Sequence, residues 1–438
     1  MNILKEVLQH EVFPAFGCTE PIAVAHAAAV AARELGHAPE TIRIIVDPGV
    51  FKNGQSVNVP NTGGERGNLI AGVVGALLAR PDLKMEILKI ATPETIREAR
   101  QIIADGRAVI DFDPAWNDLT IDVMVQYGMD RVRVVIAGSH TNLVRLEKNG
   151  VVQVDTLPGT AAGEPAYRSV LRRMKIEDLV RLADAADSED VNYIRQGVDM
   201  NLAMAAEGFK LKKVGFHLAQ LMPDAEERND ILGSSKILTA SASDGRMAGL
   251  PYPVMSSGGA GNQGVVAILV AHRVGGMWHI EPERILRSIA LSHLVNAYVK
   301  CHTGDLSVIC GCAIAAGMGA AVALVYQVCG GDMHRIDLAV NTVVSDLGGI
   351  FCDGAKEGCA LKVVSSTDAA IRAAYLAIHG QGVTSIEGIA GAMPGETIRN
   401  LCRISEEGMR NVNRVILDIM RDKPATPQPV MPPDEKSS

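Results

Sequence analysis

The spacing of apolar residues changes once along this chain and separates two kinds of structure. Before residue 157, four segments alternate as strands do, with Asn149-Gly150 as a hairpin turn between the last two; they cover residues 119–127, 131–137, 142–148 and 151–155. From Ile176 onward helical spacing dominates, and alternating β-branched residues nearly disappear. The sequence therefore predicts an α+β fold, with a mainly helical domain and a smaller α/β domain.

Four regions are expected along the chain. Residues 1–37 form one or two N-terminal helices that pack on the helical domain, and residues 38–156 form the inserted α/β domain. Within the latter, residues 41–46 and 83–90 are predicted strands, whereas residues 67–79 and 93–104 are predicted helices, the second capped by Thr92. Residues 157–422 form the helical domain, and the proline-rich tail, residues 423–438, is predicted to be disordered.

The composition narrows the class of protein. Hydrophobic residues make up 47% of the 438 residues but aromatic residues only 4%, so the core must consist of small and aliphatic side chains in closely packed helices. The net charge of −8, without a basic stripe, argues against a nucleic-acid surface. The uncharged stretch between Asp305 and Asp332 is rich in small and polar residues, which favours a buried helix over a membrane span. The N-terminus has no signal-peptide pattern, and eight cysteines in such a chain indicate a reducing, cytoplasmic setting.

Three cysteines beside glycine or other small residues are candidate metal ligands. Cys352 and Cys359 are seven residues apart with two glycines between them, and Cys312 comes forty residues earlier. This is not the compact cysteine ladder of electron-transfer ferredoxins, and no paired CxxC motif suggests zinc. Ligands from separate elements suit a site at a domain interface. The alternative is that these cysteines are small buried apolar residues, which also describes Cys329, Cys402 and Cys301.

Cys310 competes with Cys312 for the same role. If both lay on a helix, their side chains would point about 160° apart, and only one could easily face a cluster. The sequence leaves the choice between them open.

Cys18 lies directly before a helix that starts near Glu20. The positive backbone field there is expected to lower the pKa of the thiol, so Cys18 could be a base, a nucleophile or a fourth ligand. The alternative is that Thr19 caps the helix and Cys18 only packs.

Two glycine-rich loops precede apolar helices and are candidate anion sites. The loop 256–264 lacks the Lys-Ser/Thr of a Walker A motif, and the preceding strand of a dinucleotide fingerprint is missing, so we predict that it binds a small carboxylate. Its candidate residues are Ser256, Ser257, Gly258 and Asn262. The loop 60–67, with Asn61 and Thr62, is predicted to bind a second anionic group. Either loop could instead be a structural turn.

Other nucleophile and cofactor patterns are weak. His140 is a candidate site residue near a strand end, although a lone histidine there is more often structural. No Gly-x-Ser-x-Gly elbow supports a serine triad, and no lysine has an obvious pyridoxal-phosphate (PLP) context.

Five strings in the chain together resemble the L-cysteine desulfidase family, which is related to the iron–sulfur L-serine dehydratases and includes UPF0597-type bacterial proteins. The strings are Gly17-Cys-Thr-Glu-Pro-Ile-Ala23, Asp244-Gly-Arg-Met-Ala-Gly249, Met255-Ser-Ser-Gly-Gly-Ala-Gly-Asn-Gln-Gly264, Cys310-Gly-Cys312 and Cys352-Asp-Gly-Ala-Lys-Glu-Gly-Cys359. The resemblance extends over about residues 5–420. It implies a lyase whose catalytic domain is the helical one.

The resemblance also implies site residues and a cofactor. Cys312, Cys352 and Cys359 would hold a 4Fe-4S cluster, without PLP. Some serine dehydratases have a C-terminal cysteine over the open iron. This tail has none, so Cys18 becomes the candidate for that position. Residues 256–264 would bind the substrate carboxylate, and Glu20, Asn61 and Thr62 are further substrate-binding candidates.

The implied reaction is β-elimination from a small amino acid in a cytoplasmic homodimer. L-Cysteine, giving pyruvate, ammonia and sulfide, is expected ahead of L-serine because iron binds sulfur well. Cys18 is the first candidate for the general base and His140 the second. The alternative from another class is a regulatory protein that binds a cluster or a small acid without turnover.

Overall fold

The computed structural model describes residues 2–15, 17–116, 119–138, 140–156, 165–225, 230–304 and 307–422. The fold is α+β and 60% helical, with one mixed sheet of six strands, as predicted. The expected disordered tail, residues 423–438, lies outside the described residues.

The sheet domain is built around the strand Thr41–Val46. The eight strands of the described chain are β1 Pro14–Ala15, β2 Thr41–Val46, β3 Ala108–Phe112, β4 Thr120–Tyr127, β5 Asp130–Ala137, β6 Leu143–Lys148, β7 Val151–Asp155 and β8 Val254–Met255. The sheet order is β3-β2-β4-β5-β6-β7, with β2 parallel to β3 and antiparallel to β4. Ile42, Ile44 and Val46 alternate with exposed or partly exposed neighbours, so β2 buries one face against the helices.

Two details of this domain differ from the sequence-based expectation. Residues 83–90 are not a strand: Pro81–Ile90 forms 3₁₀-helical turns that bend at Lys84, where φ is 46°. Proline in the first turn has no N–H to give to a ladder, which favours the helical start. The edge strand β3 was not predicted, because Ala108–Phe112 is short and the exposed, apolar Val109 hides its alternation.

The described residues form two main hydrophobic cores, one in the sheet domain and one in the helical domain, and the helices of the N-terminal half contribute to both. They are α1 Ile3–Glu11, α2 Thr19–Leu35, α3 Pro48–Gly54, α4 Asn68–Leu78 and α5 Pro93–Ala104, the last capped by Thr92 as predicted. Helix α1 packs on the helical domain. Helix α2 packs in the core of the sheet domain, where its alanine-rich surface lies against the sheet and α4.

The helical domain is packed around one helix that is buried over most of its length. Its helices are α6 Ala166–Leu171, α7 Ile176–Asp184, α8 Ser188–Phe209, α9 Val214–Leu221, α10 Ile231–Met247, α11 Gly261–Met277, α12 Pro282–Thr303, α13 Ala315–Cys329, α14 Met333–Leu347, α15 Cys359–Ile378, α16 Pro394–Arg403 and α17 Val412–Arg421, with a π-helical turn at Ile404–Gly408. Helix α13 is buried almost throughout, which confirms the interpretation of the uncharged stretch. Within the described ranges, no helix combines the length and apolar character that a membrane crossing needs.

Among the contacts between the N-terminal segments and the helical domain, two bear on the position of the candidate site. Strand β1 pairs with β8, so the N-terminal arm lies beside Ser256. In addition, Gly354 packs against the carbonyl oxygen of Lys52 in α3 so closely that a Cβ atom there would lie 2.2 Å from it. The cysteine strings therefore lie where the sheet domain meets the helical domain.

Candidate active site

The two cysteine strings are held together by backbone pairing. Ile309 and Phe351 form an antiparallel bridge; Cys310 N donates to Ile350 O at 2.8 Å, and Cys352 N donates to Val308 O at 2.7 Å. Helix α15 then begins at Cys359. This pairing brings cysteines that are up to 49 residues apart in the chain into one region.

Cys310 and Cys312 lie in a turn that precedes α13, and their side chains meet. The thiol of Cys312 donates a hydrogen bond to the sulfur of Cys310, which lowers the pKa of Cys310 to about 6 and raises that of Cys312. The expectation that the two side chains point apart is therefore wrong, because it assumed a helix at these residues. Cys352 and Cys359 are close enough for their charges to raise the pKa of Cys312 further.

Three lysines surround these thiols. Lys362 pairs with Asp353 at 2.5 Å and donates to Phe351 O at 2.8 Å, and Lys356 also pairs with Asp353. Lys52 reaches in from the sheet domain, is only 3% exposed and donates to Asn413 Oδ1 at 2.8 Å. Burial lowers the pKa of Lys52 although the thiolate charges of Cys352 and Cys310 oppose this. The surroundings of the thiols are therefore suited to a negatively charged group.

This donor set fits an iron–sulfur cluster better than a single ion. Among the residues that the structure describes, no three His, Cys, Asp or Glu side chains gather closely enough to hold one metal ion. In a cluster each thiolate binds a different iron, so the sulfurs stand further apart. Cys310, Cys312, Cys352 and Cys359 are free thiols that interact with one another and with the lysines, so the donor set has the thiolate chemistry that such a cluster needs.

Cys18 lies beside this cysteine region. It is the N-cap residue of α2 and packs with Cys359, Val57 and Met247 in a small apolar cluster. Its thiol donates to Glu20 Oε2 at 2.8 Å. Burial, and then the charge of Glu20, raise the pKa of Cys18 well above its usual range. The expected lowering of this pKa is thus wrong, because burial outweighs the field of the helix end.

Glu20 connects Cys18 with His140. Its Oε1 accepts from Asn53 Nδ2 at 3.0 Å. Burial alone would raise the pKa of Glu20, but the charge of His140 and the hydrogen bond from Cys18 lower it overall. The structure therefore places three predicted residues, Cys18, Glu20 and His140, in one electrostatically connected group.

The two serines of the loop 256–264 are bonded within the protein. Ser256 Oγ donates to Glu11 O at 3.0 Å and accepts from Phe13 N at 2.9 Å. Ser257 Oγ lies 2.8 Å from His293 Nδ1 and accepts from Asn296 Nδ2 at 2.8 Å. Burial lowers the pKa of His293 to about 3, so this imidazole is neutral at physiological pH. Both hydroxyls consequently fix the shape of the loop.

The remaining loop residues leave backbone groups for a ligand. Gly258 has a φ of 55°, and Asn262 Nδ2 donates to Met247 Sδ at 3.4 Å. Helix α11, which follows, has no side-chain cap, so its first backbone N–H groups remain to bind an anion.

The side chains of Asn61 and Thr62 are both hydrogen-bonded to backbone carbonyl oxygens of the protein. Asn61 Nδ2 donates to the carbonyl oxygens of Leu88, Lys89 and Ala91 at 3.1–3.2 Å. Thr62 Oγ1 donates to Val59 O at 2.7 Å. The loop nevertheless borders Cys18, since a Cβ atom on Gly17 would lie 3.1 Å from Pro60.

Sequence reasoning did not single out Arg246, His293 and Asn296. Arg246 Nη2 donates to Gly17 O at 2.9 Å, and its charge opposes the raised pKa of Cys18. In the sequence, Arg246 is the lone charged residue that follows Asp244 within the string 244–249. His293 and Asn296 had a weaker signal, two polar residues three apart within a helix that is buried over most of its length.

Comparison with known proteins identifies the family. Residues 82–418 match the serine dehydratase alpha chain. The chain belongs to the serine dehydratase alpha-chain family. UPF0597 proteins from Geobacter sulfurreducens and Elusimicrobium minutum are 57% and 51% identical to it, each over 97% of this chain and 100% of the relative. A UPF0597 protein from Clostridium tetani is 37% identical over 96% of this chain and 99% of the relative. No solved structure matches the chain.

Membership in the serine dehydratase family supports a serine dehydratase-like, lyase type of function. This family is generally associated with iron–sulfur clusters. The cysteine region is the part of the chain with the chemistry for such a group.

Proposed function

We propose that this protein is an iron–sulfur-dependent lyase that removes the β-substituent of a small amino acid, most readily L-cysteine. The products are pyruvate, ammonia and sulfide. The observation that carries the proposal is the meeting of four cysteines and three lysines beside the Cys18–Glu20–His140 group. Cys312, Cys352 and Cys359 are the proposed ligands, and Cys310 is the rival of Cys312.

The bound cluster would supply a Lewis acid for the leaving sulfur or hydroxyl group. The chain itself would hold the substrate carboxylate at the amino end of α11 and accept the α-proton. Cys18 Sγ, as a thiolate, is the first candidate for that proton, and in its protonated state the thiol donates a hydrogen bond to Glu20 Oε2 at 2.8 Å. His140 is the second candidate and acts on Glu20 through its charge. Glu20 thus has a role in either arrangement, holding or passing a proton.

L-Serine is the second candidate substrate, and the matched family favours it by name. The same residues serve both reactions, with water instead of sulfide as the leaving group. We further propose, from the family resemblance, that the protein is a cytoplasmic homodimer. Light scattering on the purified chain tests the oligomeric state.

The deciding experiment is an anaerobic assay after reconstitution with iron and sulfide. We expect pyruvate from L-cysteine with equimolar sulfide, at a higher kcat/KM than from L-serine. A higher value for L-serine would make the protein a serine dehydratase. A loaded cluster with no pyruvate from either amino acid would overturn the proposal and favour a regulatory, non-catalytic role.

A further inference from the structure

Two buried carboxamides meet between the serine loop and the cysteine turn. Gln263, the third residue of α11, is 5% exposed, and Asn296 in α12 is fully buried. A Cβ atom on Gly258 would lie 3.0 Å from both Gln263 Oε1 and Asn296 Nδ2. The two side chains therefore converge on one glycine of the loop.

Gln263 also reaches the cysteine turn. A Cβ atom on Gly311 would lie 2.6 Å from Gln263 Nε2. Gly311 separates Cys310 from Cys312, so this carboxamide lies between the loop and the thiols. A side chain at either glycine would displace this carboxamide from its present position.

Both carboxamides have an oxygen without a donor. Within the described part of the chain, Gln263 Oε1 and Asn296 Oδ1 are buried and accept no hydrogen bond. The nitrogen of Asn296 is already used by Ser257 Oγ, so its oxygen is the atom that remains. Buried carbonyl oxygens are rarely left unpaired, and two such oxygens on side chains that converge on Gly258 point to a ligand that brings donors.

We propose that Gln263 Oε1 and Asn296 Oδ1 bind the α-ammonium group of the substrate. An ammonium group has three N–H donors and a positive charge, which match two carboxamide oxygens. The neighbouring backbone N–H groups of α11 suit the carboxylate of the same molecule. This inference rests on the proposed function and deepens it. It restricts the substrate to free α-amino acids and directs their β-substituent toward the cysteines.

The test pairs side-chain variants with a ligand that lacks the ammonium group. 3-Mercaptopropionate has the thiol and carboxylate of L-cysteine but no amino group. In reconstituted enzyme, Gln263→Leu and Asn296→Leu are each expected to raise the KM for L-cysteine by about tenfold or more, as expected for losing a hydrogen bond to a charged group. The inhibition constant of 3-mercaptopropionate should stay within about twofold, because that ligand never makes this bond.

Two further variants separate binding from folding. Gln263→Glu keeps an acceptor oxygen and should retain the preference for L-cysteine. Gln327→Leu is the matched control: Gln327 is also buried with an unpaired Oε1, but its Nε2 donates to Ala271 O and Ser288 Oγ, more than two helical turns from Asn296. Gln327→Leu should change the KM for L-cysteine and the inhibition constant of 3-mercaptopropionate by the same factor, or leave both unchanged.

The inference would be overturned if Gln263→Leu and Asn296→Leu weaken the binding of L-cysteine and of 3-mercaptopropionate equally. It would also be overturned if they weaken the binding of neither ligand. The first result would mean that the carboxamides only shape the loop, and the second that buried water satisfies them. If the enzyme has no lyase activity, calorimetric binding of the two ligands still measures the preference. Failure of the proposed function and failure of this inference are thereby distinguishable.

Discussion

The two glycine-rich regions of the candidate site use their polar side chains in opposite ways. In the loop 256–264 the serine hydroxyls are bonded to other parts of the protein, Ser256 to the N-terminal arm and Ser257 to α12. In the cysteine strings the thiols face one another and lysine side chains, and Cys359 Sγ has only a weak contact of 3.8 Å with Gly354 O. The loop therefore acts as a rigid frame, whereas the cysteine region keeps its sulfur atoms for a ligand.

The largest expected effect tests whether the cysteine strings bind a cluster through their sulfur atoms. In Cys352→Ala plus Cys359→Ala, two of three proposed ligands are lost, so we expect almost no iron after anaerobic reconstitution, and no lyase activity. Iron and sulfide analysis together with the visible absorbance of the cluster measures this. Cys402→Ala is the control, because Cys402 is buried in the helical core, where burial raises its pKa to about 12. Full iron content in the double variant would remove both residues from the ligand set.

Single variants at the turn resolve the competing ligands. Cys312→Ala is expected to lose the cluster and Cys310→Ala to retain it. The opposite result would assign the ligand to Cys310, whose lower pKa already favours the thiolate.

The same comparison shows what sequence reasoning can and cannot reach. The strands β2 and β4–β7 and the helix α5 were predicted because each has its own periodicity and turn residues. The strand β3 depends on pairing with β2, and the 3₁₀ turns at Pro81–Ile90 depend on local packing, so neither is evident from a short window.

For the site, the short strings identified the cysteines, but their geometry required tertiary contacts. Nothing local shows that Cys310 and Cys312 lie in a turn, since that turn is fixed by pairing with residues 350–352. Likewise, the bonding of Ser257 depends on His293 and Asn296, which come from a helix more than thirty residues later. Residue types can therefore suggest the chemistry of a site. The hydrogen-bond partners that decide whether each side chain is available to a ligand come from distant segments, and only the fold brings them together.

The next largest effect compares one glycine from each region. Gly354 has a φ of 91° and its Cβ position meets the backbone oxygen of Lys52, which cannot move without shifting α3. Gly258 has a φ of 55°, but the atoms 3.0–3.1 Å from its Cβ position belong to side chains. We expect Gly354→Ala to lower the free energy of unfolding by about 3 kcal/mol and Gly258→Ala by less.

Urea unfolding of the two glycine variants measures the difference. Gly349→Ala is the control, since no heavy atom lies within 4 Å of its Cβ position and its φ is not in the left-handed region. A larger loss for Gly258→Ala than for Gly354→Ala would show that the loop, and not the cysteine region, is the more tightly packed part.

The smallest effect concerns Asp244, which lies between the two regions. Burial raises its pKa to about 6, and the charge of Glu357 in the cysteine string contributes, although the hydrogen bond from Gly215 N opposes the shift. A carboxyl with a raised pKa in the folded state stabilises the fold below its ordinary pKa of 3.8, and this stabilisation is lost as the pH rises through about 6. Asp244→Asn keeps an acceptor for Gly215 but cannot ionise. We therefore expect the variant to be more stable than the native chain at pH 8, by on the order of 1 kcal/mol, with the gap closing toward pH 4.

The sign of the Asp244 effect can be checked against Asp187, an aspartate whose pKa is shifted in the opposite direction. Asp187 caps α8 and pairs with Lys5; its backbone hydrogen bond from Asp190 and its bond from Lys5 lower its pKa. Asp187→Asn should therefore lose stability at neutral pH and match the native chain only in acid, the reverse of Asp244→Asn. Thermal unfolding of both variants from about pH 2 to pH 8 gives the two slopes, because the difference for Asp187→Asn closes only below the ordinary aspartate pKa of 3.8. If the stability difference between Asp244→Asn and the native chain does not change with pH, the ionised carboxylate of Asp244 is stabilised by its surroundings. The region between the loop 256–264 and the cysteine strings would then tolerate a second negative charge beside Glu357.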